Sequence, residues 1–130
     1  MTGKGKVLLM DDEQVILDVT SEVMKFLGYE LMSARDGAAA VELYSQEKSK
    51  GHPFDLVILD LSVPEGMGGR EAFEKIHTLD PQAKVIMSSG YTNDLMMTGY
   101  ASFGLAGTLA KPYRIADIKA LLENMIPKKG

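Results

Sequence analysis

Three aspartates, two serines and a lysine are the residues of this 130-residue sequence whose types and spacing can do chemistry. Asp11 and Asp12 follow the apolar run Val7–Met10, and Asp60 closes the run Leu56–Leu59. Ser88 and Ser89 stand at the end of a fourth-strand candidate, Lys84–Ser88, and precede Gly90, while Lys111 follows Gly107–Ala110 and precedes Pro112. A carboxylate at the end of a run buried on both faces is costly unless something receives its charge. Three carboxylates gathered in one place repel one another by about 3 kcal/mol per pair at roughly 5 Å and an effective dielectric near 20. A hard divalent cation relieves that repulsion. With no cysteine and only the isolated His52 and His77, the donor set is oxygen, and Mg²⁺ is the natural ion. A carboxylate held beside Mg²⁺ and a lysine can attack a phosphoryl group to give an aspartyl phosphate. The cation and Lys111 would neutralise charge on the equatorial oxygens, and Ser89 would donate a hydrogen bond to one of them. The added charge would draw Ser89 and its loop inward, which makes a switch.

The elements that must position these groups alternate along the chain. Strands are expected at Val7–Met10, Leu31–Ala34, Leu56–Leu59, Lys84–Ser88 and Gly107–Ala110. Between them, helical spacing puts Ile16, Val19, Val23, Phe26 and Leu27 on one face of a first helix that Gly28 stops, and Ala40, Val41 and Tyr44 on one face of a second, Ala38–Ser49. A third helix spans Arg70–Leu79, a Met-rich fourth Asp94–Phe103, and a fifth Ile115–Ile126. Five strands alternating with five helices predict a parallel sheet covered on both faces. In such sheets ligands bind beyond the carboxyl ends of the strands, and four of the five ends carry the polar residues named above. The second strand ends without such a group, which suits an edge.

Taken together, LLMDDE (Leu8–Glu13), VILDLSVP (Val57–Pro64), VIMSSGY (Val85–Tyr91) and LAKPY (Leu109–Tyr113) resemble the receiver domain of response regulators in two-component signalling, over essentially the whole length. The resemblance implies a flavodoxin-like doubly wound α/β fold with strand order 2-1-3-4-5, a single domain over residues 1–130 with its core at about 5–127. It implies that Asp60 accepts a phosphoryl group from a histidine kinase, that Asp12 is a direct Mg²⁺ ligand, and that Asp11 acts largely through water. It further implies that Ser62 lends its backbone carbonyl to the metal. Ser89 falls at the switch hydroxyl, Lys111 at the phosphate-contacting lysine, and the Lys111–Pro112 bond at a position that is typically cis. Thr108 stands where the family often has an aromatic switch residue, with Tyr91 as an alternative ring, and the loop Pro64–Gly69 is one residue longer than the common pattern. SSGYTND and LAKPYRI look most like receivers attached to hybrid sensor kinases. A free-standing regulator and a piece of a longer kinase both remain open, as does a receiver homodimer.

Simpler readings stand beside these. Asp11 with Gln14 resembles a capping box at the start of the first helix, which is compatible with metal binding. The GMGG run (Gly66–Gly69) matches neither a dinucleotide fingerprint nor a Walker loop and reads as a flexible loop. His52 and His77 read as surface residues. Met96, Met97, Tyr100 and Phe103 divide between core and a surface that meets a kinase or a second receiver. A net charge of −4 and a pI near 5.1 point away from nucleic acid. The absence of a membrane-length apolar stretch or signal pattern points to a cytoplasmic chain with no membrane contact. A phosphohydrolase with an aspartyl-phosphate intermediate is the competing activity, but Leu61 and Ser62 occupy the positions where a second acid–base carboxylate belongs. The expectation is therefore not an enzyme acting on an external substrate. A receiver-like interaction module that is never phosphorylated is the third reading.

Overall fold

The computed structural model describes residues 4–61, 66–90 and 95–126. Five strands, β1 (Lys6–Met10), β2 (Glu30–Ala34), β3 (Leu56–Asp60), β4 (Val85–Ser89) and β5 (Gly107–Ala110), form one parallel sheet in the order β2-β1-β3-β4-β5. β3 and β4 are buried at every residue, as strands covered on both faces must be. Side chains alternate between two cores. Leu8, Met10, Val57, Leu59, Val85 and Met87 face one layer, built from α2 (Gly37–Ser49) and α3 (Gly69–Leu79). Val7, Leu9, Leu56, Ile58, Ile86 and Leu109 face the other, built from α1 (Gln14–Leu27) and α5 (Ile115–Met125).

Among the described residues, four helices of eleven or more residues cover the sheet. The fourth of the five expected helices is not continuous. Among the described residues it comprises a single turn, α4 (Leu95–Thr98), and a 3₁₀ turn at Tyr100–Phe103, interrupted at Gly99 and closed by Gly104 in the left-handed region. The outer face of α1 also differs from expectation. Its buried residues are Leu17, Thr20 and Met24, with Val23 and Leu27 packed beside them, whereas Val19 and Phe26 are exposed, Phe26 at 85%. The helix carries apolar residues on two faces, and a threonine in the buried stripe hid the true one. Asp36 caps α2 by accepting a hydrogen bond from the Ala39 N–H, and Gly28 ends α1 in the left-handed region.

Gly69 opens α3 and explains part of the glycine run. A Cβ there would lie 2.4 Å from the Asp60 carbonyl oxygen and 2.9 Å from Met87 Sδ. The residue is required for close approach of α3 to the end of β3, so at this position the run is packed rather than loose. Ser62, Pro64, Tyr91, Asp94 and Met96 carry expectations that lie outside the described residues or side chains.

Candidate functional site

The strand ends bring Asp11, Asp12 and Asp60 together: each offers a carboxylate oxygen, and these oxygens lie within 4.8 Å of one another. Asp60 is the last residue of β3 and, continuing the alternation of Leu56 and Ile58, lies on the α1/α5 face. It is 1% exposed and Asp11 is fully buried, while Asp12 is half-buried. The ladder continues past the strands and fixes these ends: Asp11 N–H donates to Ala34 O, Leu61 N–H to Ser88 O, and Lys111 N–H to Ser89 O.

Lys111 enters the cluster from the end of β5. Its Nζ donates to Asp60 Oδ2 at 3.2 Å. It also lies 2.8 Å from Asp11 Oδ2, close enough for an ion pair but off the line of a hydrogen bond, so that this buried oxygen has no aligned donor. Burial pulls the Lys111 ammonium down, but the facing Asp11 and Asp60 carboxylates outweigh it and hold the group above the ordinary lysine range. Among the described residues, Lys111 pairs with two of the three clustered carboxylates, Asp11 and Asp60. The excess negative charge and the buried Asp11 oxygen without an aligned donor are what an oxygen-ligated divalent cation would complete, so the residues fit Mg²⁺.

The remaining expected positions fall around this cluster. Ser89 is fully buried at the end of β4, opposite Ala110 of β5. Thr108 pairs with Met87 and so lies on the sheet face of α2 and α3. The Lys111–Pro112 peptide bond is cis. Ser62 lies outside the described residues. The capping-box reading of Asp11 is corrected, because α1 begins at Gln14 with Glu13 as an uncapped N-cap. Asp11 Oδ1 instead accepts the Glu13 N–H, a local turn that orients the carboxylate before the helix starts. His52 is exposed, but His77 is half-buried and stacks on Phe73 with ring centroids 5.3 Å apart. Met97 is core, while Tyr100 and Phe103 are outward.

Two arrangements were not visible in the sequence. Arg35, just past β2, donates from Nη2 and Nε to the Asp12 carbonyl at 2.8 and 3.1 Å, and from Nη1 to Gln14 Oε1 at 3.3 Å. Tyr113 reaches back from the segment after β5 to share a hydrogen bond with the fully buried Ser88 hydroxyl. The only linear hint of the second was a tyrosine two residues past the lysine.

Residues 7–123 match the family model described as response regulator receiver domain. The chain belongs to the response regulator receiver family. This receiver is 29% identical to sporulation initiation phosphotransferase F of Bacillus subtilis (strain 168), over 96% of each chain. It is 31% identical to the chemotaxis protein CheY of Listeria monocytogenes, over 91% of the receiver and 95% of CheY. Among solved structures it resembles the response regulator protein TrrA from Thermotoga maritima in complex with Mg²⁺-BeF. That match has a TM-score of 0.75 and 25% identity, and covers 93% of the receiver and 98% of TrrA. The strand order that the sequence resemblance implied is the one observed, and the receiver assignment places the chain in two-component signalling.

Proposed function

We propose that this receiver takes a phosphoryl group onto Asp60 from a phosphohistidine of a sensor kinase, in cis or in trans. The observation that carries the reading is the convergence of three carboxylates within 4.8 Å with Lys111 paired to two of them, at the carboxyl end of a receiver sheet. In the reaction an Asp60 oxygen bonds to phosphorus as the donor's P–N bond breaks, and the bonding pair leaves with the imidazole. Asp60 is preset for attack because its strand is buried at every residue and its backbone is held against β4. The Lys111 ammonium stands where negative charge develops and needs no reorganisation to meet it. Asp11, Asp12 and Asp60, with the Ser62 carbonyl, would hold Mg²⁺, which when bound offsets the carboxylate repulsion and the charge of the transferring group. TrrA, the structural relative with Mg²⁺-BeF in its complex, supports this assignment of the acidic pocket.

Ser89 is the switch hydroxyl in this reading, and Thr108 the small residue behind it. Because Thr108 cannot turn an aromatic ring inward, the signal passes through movement of the β4 end that carries Ser89. The donor docks on α1. A groove of about 450 Å³ lined by Val15, Ile16, Val19 and Thr20 of α1 and by Pro112 and Tyr113 adjoins Lys111, and Val15 and Val19 are more than half exposed. A protein donor that delivers phosphate to Asp60 would cover this ground. Among the described residues no helix is long and apolar enough to cross a membrane, and we assign the chain to the cytoplasm as one domain over residues 1–130.

The test is incubation with Mg²⁺ and a small acyl phosphate, followed by intact mass, with Asp60→Asn alongside. One acid-labile phosphoryl adduct on the wild type and none on the variant is expected. No adduct on wild-type protein, with Mg²⁺ shown not to bind, would replace this reading with an unphosphorylated interaction module.

A further inference from the structure

The segment that follows β5 is fastened to β4 twice, once by backbone and once by side chain. Lys111 N–H donates to Ser89 O at 3.1 Å, and two residues later the Tyr113 phenol shares its hydrogen bond with Ser88 Oγ. Pro112 stands between the two anchors with a restricted φ, so few soft torsions separate the lysine from the tyrosine. Ser88 is itself tied to the nucleophile: its Cα pairs with Asp60 across the β3–β4 ladder, and its carbonyl accepts the Leu61 N–H at 2.8 Å. The Ser88–Tyr113 contact thus closes a short loop of structure from Asp60 through Ser88 and Tyr113 to Lys111, whose ammonium returns to Asp60.

Packing does not ask for a hydroxyl at Ser88. The position is fully buried, and the strand's other residue on that face, Ile86, is apolar and packs against Leu109 and the α1/α5 core. A buried hydroxyl in such a layer costs free energy unless it is paired, and Tyr113 pairs it. We propose that the Ser88–Tyr113 hydrogen bond is a positioning device for Lys111, holding its ammonium against Asp60 so that phosphoryl transfer meets a fixed cation; this rests on the phosphoacceptor reading of Asp60. The pair touches neither the phosphoryl group nor the metal in this scheme and acts only through the lysine. Burial, followed by the nearby Asp11 and Asp60 carboxylates, pushes the Tyr113 phenol up to about 12 against the opposing pull of Ser88 and Lys111. It therefore keeps its proton throughout the physiological range, and the bond is permanent rather than pH-gated.

The experiment measures the rate of adduct formation from a small acyl phosphate across a Mg²⁺ titration, for wild type, Ser88→Ala, Tyr113→Phe, the double variant and Ser88→Thr. Removing either hydroxyl should slow the reaction at saturating Mg²⁺ by about three- to tenfold, the range expected for one buried neutral hydrogen bond. The double variant should be no slower than the slower single, because both lose one contact. Ser88→Thr, which keeps the hydroxyl, should recover the rate. The half-saturating Mg²⁺ concentration should stay within about twofold, since the carboxylates are not moved. A general loosening of the site would instead weaken Mg²⁺ and rate together, and that result overturns the proposal, as do variants that react at the wild-type rate. Should Ser88→Ala fail to fold, Tyr113→Phe at its half-buried position decides alone. A wild type that forms no adduct removes the phosphoacceptor reading and this inference with it. A wild type that reacts while Tyr113→Phe reacts equally fast removes this inference only.

Discussion

At the scale of single residues, the site trades stability for charge. Asp12 is half-buried among carboxylates, and its side chain is not the part that Arg35 holds, since the guanidinium binds the backbone carbonyl. Asp12→Asn therefore removes repulsion without removing that anchor. Screening at this partly exposed position reduces the gain to about 1 kcal/mol. Without divalent cation the variant should melt roughly 2–5 °C above wild type, and with millimolar Mg²⁺ the order should reverse, because only wild type gains full stabilisation from bound ion. Thermal melts with and without Mg²⁺ check this, and a variant less stable than wild type in the cation-free melt would refute it. The chemistry-bearing set Asp11, Asp12, Asp60 and Lys111 was legible because each residue lies within two positions of the end of a strand-like run, and a parallel sheet aligns such ends. Arg35 and the Ser88–Tyr113 pair were not legible. Their partners lie 23 and 25 residues away, and nothing local in either segment points across that gap.

At the scale of elements, the two helices on one face are tied by a contact that links stability to pH at both extremes. Tyr44 of α2 is 1% exposed and donates to Asp80 Oδ2, just past α3, at 2.6 Å. That hydrogen bond, first, and the Gln82 N–H hold the Asp80 carboxyl below its ordinary range against the opposing effect of burial. Burial first, then the same bond, raise the Tyr44 phenol. For Asp80 the folded pKa is depressed, so its contribution is complete above the unfolded value near 4 and is lost as pH falls through the folded one. For Tyr44 the folded pKa is raised, so its contribution is complete below about 10 and is lost above it. Tyr44→Phe should lower stability by about 1 kcal/mol at neutral pH and flatten the decline at both ends. Urea unfolding from pH 3 to pH 11 measures it, with an unchanged acid limb as the refuting result. Element positions were largely readable, because long periodic segments and Gly–Pro breaks mark them. The fourth helix was not, since a Met-rich pattern conceals the effect of Gly99, and neither was the buried face of α1, where two apolar stripes compete.

At the scale of the whole molecule, both cores are spent on holding five strand ends in register, and the chemistry occupies one end only. That arrangement separates two ways of reaching Asp60. A small acyl phosphate needs only the mouth of the site, whereas in the proposed reading a kinase also settles on the flank that α1 presents. Val15 and Val19 stand on that flank at 63% and 59% exposure, beside the groove that ends at Lys111 and Pro112. They contribute nothing to the interior, so Val19→Lys should leave the melting temperature and the small-donor rate within about twofold of wild type, as surface substitutions usually do. Burying a valine against a partner is favourable by about 1.5 kcal/mol, so the same substitution should cut transfer from a phosphorylated kinase by roughly tenfold through weaker binding. The measurement is a paired one, with radiolabelled transfer from a kinase that serves the wild type and mass-detected transfer from the acyl phosphate. A parallel loss in both would mean that the substitution disturbs the site itself. Equal transfer from the kinase would move the docking surface off α1, to the exposed Tyr100 and Phe103 on the opposite layer.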